Sequence, residues 1–338
     1  MLLPALMMSI GWALRGSIGG GPLGAMIPGA LWAMAIAHNR RWSVSQASLF
    51  AGLCALGIGL GGQETYGQTI GLLREPSTRL WGLAGLSLKG AIWGMLGGAV
   101  ISLAWLLPKR ALTPALMLIV GCQLGWQLIN QPKLLYFSHP FLQPREEIWA
   151  GLLLSAIGLL VFLRSPITNR LALAGALGGA IGFGAGSLFN LVPIANFPGW
   201  KCMEFAFGLI LGAALSLAVP KDAPKESSSP APFYAYPILA AFTIAGDFYL
   251  PLRFAYTAVV ALLLFPLARV PQLGWPLAFS VTLAAACLGL YKVHPAWAVA
   301  LAIVPPAMLP RLSMLQAMLT LLASCCLIYA LEYFPVVR

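Results

Sequence analysis

LTPALMLIVGCQLGWQLIN, Leu112–Asn130, carries no charge and shows no apolar/polar alternation. Its length is close to the roughly 20 residues that a helix needs to cross ~30 Å of hydrocarbon. A transmembrane β-barrel would instead show strands of about 10 residues whose faces alternate between lipid and a polar lumen. Neither this run nor AAFTIAGDFYLPLRFAYTAVVALLLF, residues 240–265, alternates. The barrel is excluded and helices are expected.

Composition carries the same message over the whole chain. Of 338 residues 60% are apolar and only 9% charged, with a mean hydropathy of +0.86. A soluble domain has roughly 25% charged residues, so too few ionised groups are present to cover a water-facing surface. The expected fold class is all-α, a polytopic integral membrane protein with about 12 (11–13) transmembrane helices. Apolar runs near 2–38, 44–63, 81–107, 112–130, 148–163, 171–189, 202–219, 233–249, 252–268, 273–290, 295–309 and 312–333 supply them. The first is too long for one straight helix, and RGSIGGGPLG within it is expected to break or tilt it. MLLPALMMSIGWALRG has no basic leader and no small-x-small cleavage site, so it reads as a retained span rather than a signal peptide.

The net charge is +11, yet the basic residues are scattered in short groups such as HNRRW, LPKRAL and RSPITNR between apolar runs. There they fix topology; no patch for nucleic acid exists. A slight excess of Lys and Arg in the loops at 39–43, 108–111, 164–170 and 220–232 places those loops in the cytoplasm. The inner (cytoplasmic) membrane of a bacterium is the expected location.

The chain changes character at PKDAPKESSSPAP, residues 220–232, a polar Pro/Ser linker. Of 36 glycines only Gly246, Gly274 and Gly289 follow it. Because glycine lets membrane helices approach closely, residues 1–219 should form a tight Gly-rich bundle and 233–338 a C-terminal five-helix bundle. Internal similarity points to repeats in the first part: Leu14–Ile27 aligns on Leu88–Ile101, with Arg15 on Lys89. Phe207–Lys221 matches Trp93–Lys109, and Leu60–Gly67 matches Leu177–Gly184. Glycine-rich helix faces also offer a surface for a homo-oligomer or a membrane-complex partner.

Charges inside such a chain are few and therefore informative. An ionised side chain at mid-membrane is unfavourable by about 2.5–3.5 kcal/mol on insertion scales, so Arg15, Lys89 and Lys201 should be neutralised in one buried cluster by Glu64 and Glu204. On a helix continuing past Gly62, Glu64 and Gln68 in QETYGQ would share a face at i, i+4, with Gly67 and Gly71 admitting a close neighbour. The candidate binding residues are Arg15, Gln63, Glu64, Tyr66, Gln68, Lys89, Lys201 and Glu204. Simpler accounts are an interfacial loop for QETYGQ, snorkelling for Arg15 and Lys89, and a helix-start ion pair for Lys201 and Glu204. Asp247 and Arg253 read as the polar cap of a hairpin.

His38, His139 and His294 lie far apart and have no metal spacing. The cysteines (Cys54, Cys122, Cys202, Cys287, Cys325, Cys326) read as packing residues. No metal and no cofactor is expected. Glu146 and Glu147, just before a span, read first as helix N-terminal charge and second as an acid or base beside His139. GSIGGGPLG lacks the Gly-Lys-Ser/Thr ending of a phosphate loop.

These features favour a transporter or channel for a small polar or anionic solute, with proton coupling through a carboxylate held near cations. Two alternatives stay open: a membrane-embedded enzyme acting on a lipid-linked substrate through Glu64 or the His139–Glu147 loop, and a structural subunit of a membrane complex. Membrane lipids and the solute are the expected partners.

Overall fold

The computed structural model describes residues 2–18, 21–107, 111–138, 146–192, 198–226, 232, 234–249, 254–284, 286 and 312–333. Among them every regular element is helical. The run over 2–38 is neither tilted nor simply bent. It is two helices, α1 (Leu2–Ile18) and α2 (Gly21–Arg40), folded back on each other so that Gly11 lies against Pro28. Helix α3 (Val44–Gly61) starts on a capping box, in which the Ser43 hydroxyl accepts from Gln46 N at 3.2 Å and the Gln46 side chain accepts from Ser43 N at 2.9 Å.

After Gly61 the chain turns through Gly62–Tyr66 and resumes as the short α4 (Gly67–Arg74). Helices α5 (Arg79–Ser102), α6 (Leu112–Gly125), α7 (Trp149–Leu163), α8 (Pro166–Ser187) and α9 (Gly199–Ala218) follow. Helix α6 continues as a π-helical turn over Trp126–Asn130. Beyond the linker lie α10 (Ala235–Tyr249), α11 (Ala255–Arg269), a helical segment over Gly274–Pro276 and Leu277–Val281, and α12 (Met314–Tyr333).

Helices α1, α2, α3, α5, α8 and α9 pack in that order as a closed ring, α9 returning to α1. Neighbours run antiparallel. The tightest seam joins α5 to α8, where Gly90 and Gly94 oppose Gly179 and Gly175. A Cβ on Gly94 would fall onto the Gly175 carbonyl oxygen, so the two backbones touch. Gly98 faces Leu171 of α8 in the same way. Gly90, Gly94 and Gly98 are thus covered by the chain's own helix. Helices α6 and α7 form a hairpin outside the ring, with α5 against α7 and α11 against α6, while α12 covers α2 and α1.

Five helical stretches are long and apolar enough to cross a membrane: Val44–Gly61, Arg79–Trp105, Leu112–Asn130, Pro166–Leu191 and Gly199–Ala218. Their length and composition are compatible with an integral membrane protein. The expected run at 295–309, part of 273–290, His139, His294, Cys287 and Arg253 lie outside the described residues, as does the Asp247 side chain. Among the described residues Cys54, Cys122 and Cys325 are buried; on α12 Cys326 is exposed while its neighbour Cys325 is not.

Two of the sequence matches do not correspond to like structures. Leu14–Ile27 crosses the reversal between α1 and α2, whereas Leu88–Ile101 lies within the single helix α5. Leu60–Gly67 contains the turn after α3, whereas Leu177–Gly184 is mid-helix in α8. Abundant glycine and alanine are enough to produce such matches.

The described parts of the loops at 39–43, 164–170 and 220–226 lie at one end. A cavity of about 580 Å³ joins Leu106, Arg164, Lys225 and Pro271, and another of about 600 Å³ joins His38–Val44 to Ser313 and Met314. Arg40 donates to the carbonyls of Val219 (3.3 Å) and Pro220 (3.1 Å), which fastens the linker to this basic end.

Candidate functional site

The turn Gly62–Tyr66 lies beside α5 at the level of Lys89, about ten residues and so roughly 15 Å into that helix. Neither sequence reading of QETYGQ holds there. Helix α3 does not continue past Gly62, and the segment is not a plain loop, because α4 starts at Gly67. Glu64 and Gln68 therefore share no helix face. A Cβ at Gly67 or Gly71 would meet open space rather than a close neighbour.

All three candidate cations are buried: Arg15 is 3% exposed, Lys89 2% and Lys201 7%. Snorkelling is excluded for each. They do not meet in one cluster, however; the turn separates them into two.

In the first cluster the Lys89 ammonium sits among four oxygens. It lies 3.0 Å from Glu64 Oε1 and donates to Glu147 Oε1 (2.9 Å), Thr69 Oγ1 (3.0 Å) and the Thr65 carbonyl (2.6 Å). Both carboxylates are held by donors. Glu147 accepts from Phe137 N (3.1 Å at Oε2) and Ser138 Oγ (2.9 Å), and Glu64 Oε2 accepts from Ile148 N (2.9 Å) at the start of α7. A helix N-terminus leaves its first N–H groups without intrahelical partners and carries positive partial charge. Glu64 answers both needs from a distant part of the chain. Asn130 completes the cap, its Oδ1 accepting from Ala150 N (3.0 Å) and Gly151 N (3.4 Å).

The second cluster lies inside the ring. Arg15 Nη1 donates to the Tyr66 hydroxyl (2.9 Å), which in turn lies 3.5 Å from Glu204 Oε1. Lys201 reaches Glu204 Oε2 (3.4 Å), the Ala13 carbonyl (2.6 Å) and the Ser17 hydroxyl. The helix-start pair of Lys201 and Glu204 is thus real, but it is also the fastening between α9 and α1. Gly16 is where the two come closest: a Cβ there would overlap the Glu204 carboxylate. The Arg15 guanidinium lies 5.2 Å from the Trp12 ring centroid, 5.6 Å from Tyr66 and 5.3 Å from Trp93, a geometry that stabilises a desolvated cation. Its Nε is buried without a hydrogen-bond partner.

Counting formal charges among the described residues, the first cluster holds one cation and two carboxylates, the second two cations and one carboxylate. Each has one charge in excess, of opposite sign, and the stretch from Glu64 to Tyr66 contributes to both. Toward the basic end the ring is closed by packed aromatics: Trp12 lies 4.7 Å from Trp93 and from Phe207, and Phe183 lies 4.8 Å from Phe207. At the opposite end a cavity of about 260 Å³, lined in part by Asn130, Lys133, Tyr136, Glu146 and Glu147, reaches the first cluster. Asn130 Nδ2, buried and without a partner, belongs to that lining.

Of the expected site residues, Arg15, Glu64, Tyr66, Lys89, Lys201 and Glu204 are in the clusters. Gln63 is not; it grips the start of α11, donating to Thr257 Oγ1 (2.8 Å) and accepting from Thr257 N (3.2 Å). Gln68 is half-buried on α4. Glu147 is the member that sequence reasoning misplaced as simple helix-start charge. Among the described residues no group of His, Cys, Asp or Glu is arranged to hold a metal ion.

No protein-family model, curated protein or solved structure matches this chain.

Proposed function

We propose that the protein is a polytopic membrane transporter, with about a dozen crossings, that moves a small anionic solute together with a proton across a bacterial inner membrane. The observation that carries this reading is the turn between α3 and α4, which interrupts an apolar helix and contributes to two buried clusters of opposite excess charge. Interrupted helices at the middle of a bundle are where secondary transporters bind solute and coupling ion. In a low dielectric an unbalanced charge strongly favours a counter-charge. The Lys89 cluster, one carboxylate in excess, favours a proton, which the cavity at Glu147 delivers. The Arg15 cluster, one cation in excess and with the unpartnered Nε of Arg15, favours an anion.

In this arrangement Glu147 and Glu64 take up the proton, Arg15 and Lys201 attract the anion, and Tyr66 joins the two sites. The aromatic closure toward the basic end then corresponds to a state open to the other side, and transport requires that closure to loosen.

Purified protein in proteoliposomes, offered radiolabelled phosphate, sulfate, lactate and glutamate with acid outside, provides the test. At least one of these anions is expected to accumulate above protein-free vesicles. Glu147→Gln is expected to abolish the dependence on the pH gradient, and Arg15→Met to abolish uptake. Uptake of all four equal to protein-free vesicles, from correctly folded protein, overturns the reading.

A further inference from the structure

The basic end carries a second feature that the transport reading does not use. We propose that the cavity of about 580 Å³ there is a site for an anionic phospholipid, with the phosphate between Arg164 and Lys225 and one acyl chain against Leu49, Leu106 and Leu163. Both cations line this cavity beside apolar walls. Among the described residues neither lies within ion-pairing distance of a carboxylate.

Both are held in place. Arg164 ends α7 in the left-handed region (φ 47°), and its Nε donates to the Val161 carbonyl at 3.3 Å. Lys225 belongs to the linker, pinned before it by Trp105 Nε1 donating to the Asp222 carbonyl (3.3 Å) and after it by the Ser45–Glu226 hydrogen bond. That bond also occupies the Glu226 carboxylate, the nearest anion in sequence. Between the cations α8 begins: Ser165, 8% exposed, makes no capping hydrogen bond, and Pro166 offers no N–H. The positive end of a helix of 22 residues therefore faces the same space.

The apolar walls decide between a lipid and a free anion. Phosphate alone would leave the half-buried apolar wall of Trp105, Leu106, Ala223 and Pro271 facing water, whereas a phospholipid covers it. Basic pockets between helix ends are where acidic headgroups bind in membranes, and Trp105, packed edge-on against Trp42 with centroids 6.3 Å apart, supplies the aromatic level typical of that depth.

Native mass spectrometry of the detergent-purified full chain tests the proposal, with phosphatidylglycerol and phosphatidylcholine of the same acyl chains as probes. Phosphatidylglycerol is expected to be retained about tenfold or more over phosphatidylcholine, two cations near the surface contributing roughly equally. In the double variant Arg164→Gln/Lys225→Gln that preference should disappear. Arg170→Gln, on the same end but outside the cavity, should keep it, and millimolar inorganic phosphate should leave the bound lipid in place. Equal retention of the two lipids, an equal loss in Arg170→Gln, or displacement by phosphate alone would each overturn the assignment.

Discussion

Lys89→Ala is expected to be among the most damaging single substitutions in this chain. It would leave Glu64 and Glu147 buried side by side with no cation between them. Removing one partner of a buried pair destabilises by about 3–5 kcal/mol, because the remaining charge is uncompensated. Native proteins are stable by only ~5–15 kcal/mol, so most of the folded population is at stake. The readout is the yield of monodisperse protein from detergent and its unfolding in sodium dodecyl sulfate. Removing a carboxylate as well, in Lys89→Ala/Glu147→Gln, should recover part of the loss. A loss below about 1 kcal/mol, the range of exposed ion pairs, would mean that the ammonium is solvated rather than enclosed.

The second large effect is expected at the α5–α8 seam. Gly94→Val places two methyl groups where the Gly175 carbonyl already lies. The obstacle is backbone, so no side-chain rotation relieves it. Overpacking of this kind destabilises by about 1–3 kcal/mol, occasionally more, and here it also displaces Lys89, five residues away on the same helix. Gly71→Ala is the matched control. Its Cβ would meet nothing within 4 Å, so it should change stability by no more than about 0.5 kcal/mol. Both variants are measured by the same unfolding assay, and equal effects would contradict the close approach of the two helices.

The limits of most helices were legible in the sequence because the signals are local. Hydropathy marks α3, and the apolar runs mark α7, α8 and α9 within a few residues of their observed ends. The reversal after Ile18 was not legible. Glycines can break, tilt or reverse a helix, and the choice here depends on α9, whose Lys201 reaches the end of α1. The burial of Arg15, Lys89, Glu64, Lys201 and Glu204 followed from the cost of isolated charge in hydrocarbon. Their partition into two clusters did not, since it depends on which face of α5 the turn approaches. Glu147 illustrates the same limit. Its place just before α7 was correctly read as the start of a helix, but its ion pair with Lys89 spans 58 residues of sequence. Gln63 was misread for a similar reason, its partner Thr257 lying beyond the linker.

The central claim is that the buried charges form two separate groups on either side of the α3–α4 turn, and double-mutant cycles measure this directly. Lys89→Met combined with Glu147→Gln is expected to give a coupling energy within the 0.5–3 kcal/mol found for contacting residues, whereas Lys89→Met combined with Glu204→Gln should be additive within about 0.3–0.5 kcal/mol. Coupling of Lys89 to Glu204 as strong as its coupling to Glu147, or to neither, would contradict the account.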